Sequence, residues 1–370
     1  MASSNRSTEE PASTRLSWCG DRPPISGRWS VGVTLVAVAV RGWRHLRQKQ
    51  GMTRLCRSLA GDPPQALVHA RFDSWLEHFY GGRLKEIDDA CAGEVTADDY
   101  ALFRDLDDDL WAMLLTQQYD SYPHIRRLLP EMPEPGLQEL WCGTSGVPLA
   151  IQSKEFYGKL RAAYQRYGER PLKRAYVLDF GCGWGRLTRY LARDVSPGRL
   201  YGCDPVEEVL EVCRATRVPA TFARSDFLPE RLPFEERFDL AYAFSVFTHL
   251  SERAHELALR ALHSSLRPGG VLIVTIRPPA YLSVCEPMRP LLRNLSPDDE
   301  VMLKGARYLF VPHPTNPWQA PPPSGGKIVY GETVVTLDYV RARWGSLFEL
   351  VEVGFLLADP HQVTLTMRRI

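Results

Sequence analysis

The sequence predicts an α/β fold: a doubly wound, mostly parallel sheet with helices on both faces, a helical extension before it and an insertion late in it. Three observations carry this. From residue 175 onward short apolar runs alternate with amphipathic segments, the texture of parallel strands joined by crossover helices. The first of those runs ends in a glycine-rich turn that opens a helix, as the ligand-binding turn of a doubly wound sheet does. The stretch 278–332, with Pro312, Pro314, Pro317, Pro321 to Pro323 and Gly325-Gly326, cannot be central sheet, because proline has no N–H to give a ladder. It is expected as an insertion on the surface.

The strands are predicted at 175–180 (AYVLDF), 199–203 (RLYGC), 219–224 (PATFAR), 238–244 (FDLAYAF) and 270–276 (GVLIVTI), with helices between them. A helix from Leu337 to Trp344 and two runs, 347–357 and 362–369, are expected to close the sheet as a hairpin. Upstream, 64–129 reads as helical. Leu102, Leu106, Leu110, Met113 and Leu114 recur at spacings of three and four and form one stripe, which makes a helix starting at Thr96, where Thr96-Ala97-Asp98-Asp99 has the spacing of a capping box. The acidic cluster Asp105, Asp107, Asp108 and Asp109 has no second carboxylate cluster to complete a metal site, so it is read as a solvated face. Pro130, Pro133, Pro135 and Gly136 mark a linker, and Gln152 to Tyr167 is a further amphipathic helix carrying Phe156, Leu160 and Tyr164. The expected division is a disordered leader over 1–51, a helical region over 52–150, the cofactor half of the core over 151–280, the proline-rich insertion or lid over 281–332, and a completing helix and hairpin over 333–370.

Composition narrows the function. In 370 residues, 45 Lys and Arg stand against 44 Asp and Glu, so no global basic field exists to hold a polyanion, and a nucleic-acid partner is disfavoured. The cysteines at 19, 56, 91, 142, 182, 203, 213 and 285 form no C-x-x-C pair, so no metal site is expected and free thiols in a reducing cytoplasm are the reading. Trp29 to Val40 is apolar, but as a helix it would span only ~18 Å against a hydrocarbon core of ~30 Å, so no transmembrane segment is expected. Its basic cluster (Arg41, Arg44, Arg47, Lys49) follows the apolar run, the reverse of a signal peptide. Residues 1–50 are left as a leader, a weak membrane-surface element, or sequence upstream of a true start at Met52.

The chemistry lies in Val177-Leu178-Asp179-Phe180-Gly181-Cys182-Gly183-Trp184-Gly185-Arg186-Leu187-Thr188. Glycines between a strand and a helix permit positive φ and remove Cβ, so backbone can touch a ligand lying across the strand ends. A second acid, Asp204, stands 23 residues beyond Gly181, near the ~20 expected of a carboxylate that accepts the ribose hydroxyls of an adenosine-containing cofactor. The third glycine, Gly185, comes one residue too early for the pyrophosphate turn of dinucleotide folds, and Asp179 would repel a pyrophosphate. A cofactor with an ammonium and a sulfonium suits the site better.

The D-F-G-C-G-W-G run resembles the acid-x-G-x-G-x-G motif of the class I (Rossmann-like) S-adenosylmethionine-dependent methyltransferases, whose sheet has six parallel strands and one antiparallel. Leu200 to Asp204 is similar to the family's second strand with its ribose acid, Arg224-Ser225-Asp226-Phe227 to its third-strand end, Phe238 to Ser245 to its fourth strand, and Leu266-Arg267-Pro268-Gly269-Gly270 to the turn before its fifth. The resemblance covers 175–280 and, more loosely, 333–370. It implies S-adenosylmethionine as cofactor and contacts to it from Asp179, Gly181, Cys182, Gly183, Gly185, Asp204, Pro205, Asp226, Phe227 and Phe244. Asp179 would orient the methionine amino group, Asp226 would reach the adenine amino group, and Phe244 would accept through its carbonyl.

Methyl transfer from a sulfonium needs alignment and exclusion of water rather than a covalent nucleophile. Where the acceptor must lose a proton, the candidate base is His249, just beyond the fourth strand; its bland alternative is a histidine that caps or packs. Residues 244–247 read Phe-Ser-Val-Phe and lack the (Asn/Asp)-Pro-Pro-(Tyr/Phe) of adenine and glutamine N-methyltransferases, which favours a small-molecule acceptor, methylated on oxygen or nitrogen. Tyr308, Phe310 and Trp318 of the insertion, with the N-terminal helices, are expected to wall the acceptor side. A protein or nucleic-acid methyltransferase, a non-catalytic scaffold of the same fold and a nicotinamide oxidoreductase are the other classes. The oligomeric state is not legible.

Overall fold

The computed structural model describes residues 65–94, 96–293, 305, 307–313 and 328–370; the expected leader over 1–51 and Trp318 with the prolines after 313 lie outside the described residues. All that follows concerns the unit His69–Ile370.

Its sheet has seven strands: β1 (Val177–Phe180), β2 (Leu200–Asp204), β3 (Thr221–Arg224), β4 (Phe238–Ala243), β5 (Leu266–Ile276), β8 (Phe348–Phe355) and β9 (Val363–Arg369), in the order β3-β2-β1-β4-β5-β9-β8. β1 pairs in parallel with β2 and with β4, β2 with β3 and β4 with β5, whereas β9 runs antiparallel to both β5 and β8. Six parallel strands and one antiparallel strand result, as expected. The chain winds outward from β1 to β3 and then returns to the other side of β1 at β4. That reversal parts the connections at the carboxyl ends of β1 and β4, where such sheets open a crevice.

β1, β2 and β4 are buried on both faces, which explains their near-continuous apolar runs, interrupted only by Gly202 and the acids Asp179, Asp204 and Asp239. Alternate side chains go to opposite layers. Val177, Leu240, Tyr242 and Ile273 pack with the N-terminal helices, while Leu178, Ala241, Ala243 and Val274 pack against α8 (Glu252–Ser265) and α10 (Leu337–Trp344). β5 begins earlier than predicted, because Leu266 pairs with Phe238 before the register shifts and Gly269, at φ +72°, turns the chain into the regular ladder.

The N-terminal region departs from the predicted single helix. After α1 (Gln65–Ala90), Ala97–Phe103 forms a short 3₁₀ helix, and a separate α2 (Asp108–Thr116) follows. The Asp99 carboxylate does accept the Thr96 backbone N–H at 2.7 Å. The break comes from two groups the helical stripe could not reveal. Asp107 accepts the Leu110 N–H at 2.7 Å and so starts a new helix, and the buried Arg193 takes the carbonyls of Phe103 and Leu106 that a continuous helix would have used itself. The acidic face is solvated as read, with Asp105, Asp107 and Asp109 exposed and Asp108 half-buried, and it also carries ion pairs: Asp105 with Arg83 at 3.0 Å, Asp108 with Arg161 at 2.6 Å and with Arg193, and Asp109 with Lys154. α3 (Pro123–Leu128) and α4 (Pro135–Cys142) follow, so the expected linker is short and Pro135 opens a helix, where its missing N–H costs nothing. α5 (Gly146–Tyr167) buries Phe156, Leu160 and Tyr164 as read.

The region 278–332 is not only surface. Leu282, Cys285 and Met288 bury themselves with Val334 in a small core. β6 (Tyr308–Pro312) and β7 (Gly331–Val335) form a separate antiparallel pair, and β7 is wholly buried. Short helices α6 (Thr188–Leu191), α7 (Glu207–Ala215) and α9 (Arg289–Arg293) complete the connections.

Candidate active site

At the carboxyl ends of β1 to β5 lies a cavity of about 500 Å³. It is lined by Asp179, Gly181, Cys182, Gly183, Asp204, Pro205, Asp226, Phe227, Phe244 and His249, so the structure brings these predicted residues together. Gly185 lies outside the lining. Its φ is +75°, and a Cβ there would press on Cys213 and Val218, so it serves the packing of the turn on α7.

The turn is built by its neighbours. Gly181 has φ +72° and a Cβ on it would collide with Val246, whereas Gly183, φ +52°, has open space where a Cβ would stand and so offers bare backbone. Asp204 ties the turn to β2, its Oδ2 accepting the Gly183 N–H at 3.0 Å and its Oδ1 the Val206 N–H at 3.0 Å. From below, the buried Arg189 holds the carbonyls of Gly185 (3.1 Å), Trp184 (3.2 Å) and Glu131 (2.8 Å), with its guanidinium over the Trp184 ring. Burial lowers its pKa to about 10, still well above neutrality, so it remains charged. Sequence reasoning missed Arg189 because its partners are carbonyls, which carry no sequence signature.

Asp179 is buried, and its Oδ2 accepts from Thr188 Oγ1 at 2.6 Å. Burial raises its pKa to about 7, against the lowering effect of that hydroxyl. Burial likewise raises Asp204 to about 6, offset in part by the two backbone donors. Two carboxylates held without a cation at hydrogen-bond distance among the described residues, beside bare backbone, fit a cationic, hydroxyl-rich ligand.

On the other side of β1, Phe244 lies under the Arg186 guanidinium at 4.6 Å, and Arg186 donates to Gln152 of α5 at 2.6 Å. Ser245 adopts φ +59°, a conformation non-glycine residues seldom hold, stabilised by its N–H on Thr275 Oγ1 at 2.7 Å. His249 is fixed by β7: Thr333 N–H bonds the Thr248 carbonyl (2.9 Å), Gly331 N–H the His249 carbonyl (2.8 Å), and Ser251 N–H the Val329 carbonyl (2.8 Å). Its Nδ1 lies 2.8 Å from the Gly331 carbonyl and its ring stacks on Tyr330 at 5.1 Å. A carbonyl only accepts, so the neutral ring carries its proton on Nδ1 and leaves Nε2 with the lone pair. Burial pushes its pKa below the ordinary imidazole value; Glu332, 3.7 Å from Nδ1, and the Gly331 carbonyl oppose that shift, while Arg277 and His313 add to it.

The expected acceptor wall is only partly as read. Tyr308 turns away, donating to the Leu250 carbonyl at 2.6 Å and packing on His255 and Tyr339, and Phe310 is not in the lining. Val329 and Tyr330 line the cavity from this region, and Leu140 to Gly143 and Gln152 from the N-terminal helices. Among the described residues no helix is long and apolar enough to cross a membrane, and no cluster of three His, Cys, Asp or Glu is placed to hold a metal.

Residues 177–270 match the family described as "Methyltransferase domain". The ubiquinone biosynthesis O-methyltransferase of Methylobacterium sp. (strain 4-46) is 26% identical over 194 residues, 48% of this chain and 70% of that protein. The trans-aconitate 2-methyltransferase of Methylobacterium radiotolerans is 34% identical over 142 residues, 37% of this chain and 50% of that protein. The trans-aconitate 2-methyltransferase of Variovorax paradoxus (strain S110) is 32% identical over 117 residues, and the chain spans 44% of its length. A solved S-adenosylmethionine-dependent methyltransferase from Mesorhizobium loti aligns with TM-score 0.38 and 20% identity over 57% of this chain and 96% of that one, and the fold assignment rests instead on strand order. With its sheet wound in this order around a glycine turn of this sequence, and the matched segment running from that turn to the fifth strand, the chain carries a class I S-adenosylmethionine-dependent methyltransferase domain.

Proposed function

We propose that the protein transfers the methyl group of S-adenosylmethionine to an oxygen or nitrogen atom of a small metabolite. The observation that carries this reading is the division of one cavity between two chemistries: buried acids and bare glycine backbone at β1 to β3, and an imidazole with a free Nε2 lone pair after β4. When bound, the cofactor supplies a methyl group on a sulfonium, already activated for direct displacement. Asp179, with one oxygen engaged by Thr188, would hold the ammonium on the other; Asp204 would accept from the ribose hydroxyls, Asp226 from the adenine amino group, and Gly181, Cys182 and Gly183 would offer bare backbone to the cofactor. Pro205 and Phe227, which line the same half, would contact the adenosine, and the Phe244 carbonyl would accept a further donor. His249 Nε2 would take the proton of an acidic acceptor as that acceptor is methylated.

Incubating the full chain with a metabolite extract and methyl-labelled S-adenosylmethionine, followed by mass spectrometry, should yield a labelled small molecule and S-adenosylhomocysteine in equal amounts. Label recovered only in protein or nucleic acid would reject the small-molecule reading.

A pH dependence follows from the two raised carboxylates. Asp179 is protonated in the free protein below about 7 and Asp204 below about 6; a bound ammonium at Asp179 and donated hydroxyls at Asp204 would favour the ionised forms, so binding releases protons. Affinity for S-adenosylhomocysteine should therefore rise by about tenfold from pH 5.5 to 8. The stability of the cofactor-free protein should move oppositely: a folded pKa above the unfolded ~3.9 gives a contribution that is full in acid and lost as pH rises through 6 to 7. Calorimetry in two buffers of different ionisation enthalpy measures the proton release; a flat affinity over this range with no release would contradict the ionic role of both acids.

A further inference from the structure

Beyond β4 the cavity changes character. Arg277, directly after β5, and Gln362, directly before β9, line it on neighbouring elements, away from the β1 to β3 half. The Arg277 guanidinium lies over the Tyr281 ring at 4.3 Å, which sets its plane, and its side chain is 12% exposed. Among the described residues only Nη1 is engaged, by the His361 carbonyl at 3.3 Å and Asp359 Oδ1 at 3.5 Å. The latter is long for a charge-assisted bond, which settles near ~2.8 Å, and Asp359 is drawn off on its other oxygen by Gln152 Nε2 at 3.1 Å. Arg277 Nε is buried with no hydrogen-bond partner among the described residues.

Gln362 is in the same condition. It is 2% exposed, its Nε2 donates to Ser245 Oγ at 2.9 Å, and its Oε1 is buried without a partner. Turning the amide over would leave its nitrogen as the free end, so one hydrogen-bonding end is unmet either way. Buried donors and acceptors in folded proteins are almost always matched, and two unmatched groups on residues that line one cavity point to where a ligand would supply the partners. A guanidinium with its plane set and Nε free presents the two-pronged edge that a planar carboxylate fills with parallel N–H···O bonds. A phosphate dianion suits the corner less well, since a single guanidinium would have to offset it beside Asp359, with Glu332 close behind His249. The cofactor's own carboxylate has another cation at hand in Arg186, within the glycine turn and close enough to Asp179 to lower its pKa.

We propose that Arg277, assisted by Gln362, binds a carboxylate of the methyl acceptor, so that the acceptor is a carboxylic acid held with that group at the β5–β9 end of the cavity. This rests on the methyl-transfer reading, and it places the acid beside His249, whose charge Arg277 already influences.

The test is calorimetry on the full chain saturated with S-adenosylhomocysteine, titrated with acetate, succinate, citrate and benzoate, with succinamide and benzamide as uncharged counterparts and inorganic phosphate as the competing anion. At least one carboxylate should bind and its amide should not. Arg277→Gln should weaken that carboxylate at least tenfold while S-adenosylhomocysteine affinity stays within twofold, and Arg277→Lys, which keeps the charge but not the fork, should lie between. Gln362→Ala, expected to cost several-fold, gives the same readout if the arginine variants fail to fold. The proposal is overturned if none of the carboxylates binds, if phosphate binds in their place, or if the carboxylate affinity survives Arg277→Gln. It is overturned equally if S-adenosylhomocysteine affinity falls in parallel in Arg277→Gln, since the carboxylate recognised would then be the cofactor's. Loss of S-adenosylhomocysteine binding in the unaltered protein would instead remove the methyl-transfer reading on which the proposal stands.

Discussion

Replacing Asp204 by alanine is expected to weaken S-adenosylhomocysteine binding tenfold to hundredfold, about 1.5 to 3 kcal/mol, the range of a hydrogen bond to a charged acceptor. The carboxylate would do two things at once. As proposed, it accepts the ribose hydroxyls; it also holds the Gly183 and Val206 N–H groups at 3.0 Å each, so alanine leaves the turn without its tether to β2. Asp204→Asn separates the two effects. Its amide oxygen can keep one backbone donor, but the charge is gone and its NH₂ faces a donor. Asparagine should therefore preserve most of the melting temperature yet bind almost as poorly as alanine. Calorimetry with thermal melts of both variants checks this, and affinity unchanged in Asp204→Ala would sink the assignment of the ribose acid.

The second large effect is expected at His249. If Nε2 takes the acceptor proton, His249→Ala should lose ~10²-fold or more in turnover with cofactor affinity intact. The rate should rise with pH and level off through a pKa below the ~6.5 of free imidazole, because burial and Arg277 both disfavour the charged ring. The sign for stability is the same: a depressed folded pKa contributes stability that is present above ~6.5 and lost as pH falls through the folded value. A purely structural histidine would show the opposite division, with a lower melting temperature from the lost Gly331 bond and Tyr330 stacking but unchanged turnover per folded molecule. Full activity in His249→Ala would mean that alignment alone carries the reaction.

What could be read in the chain was whatever a local pattern encodes. The five strands of the parallel half, the glycine turn and the acids at the ends of β1, β2 and β3 each lie within about a dozen residues, and strand period, turn chemistry and acid spacing are local properties. The antiparallel closing hairpin was legible for the same reason. The break between the 3₁₀ helix and α2 was not, because a three-four stripe looks the same whether one helix or two present it, and Arg193, which takes the carbonyls at the break, comes from 87 residues further along for Leu106.

The sequence by itself therefore determined the fold class and most of the residues that line the β1 to β3 half of the cavity, since a parallel sheet buried on both faces demands a near-continuous apolar signature and a close backbone turn at its switch point demands glycine. Only the tertiary structure decided the other half of the cavity, the proposed acceptor side. Arg277, Gln362, Asp359, Tyr330 and Leu140 to Gly143 meet there from four separate stretches of chain, and no spacing along a sequence announces that an arginine with a buried Nε and a glutamine with a buried amide end line the same cavity. Gly331 and Glu332, which orient His249 and act on its charge, reach it from 82 and 83 residues away, across a connection whose prolines read as surface loop; the burial of β7 turned the end of that loop into the support of the candidate base.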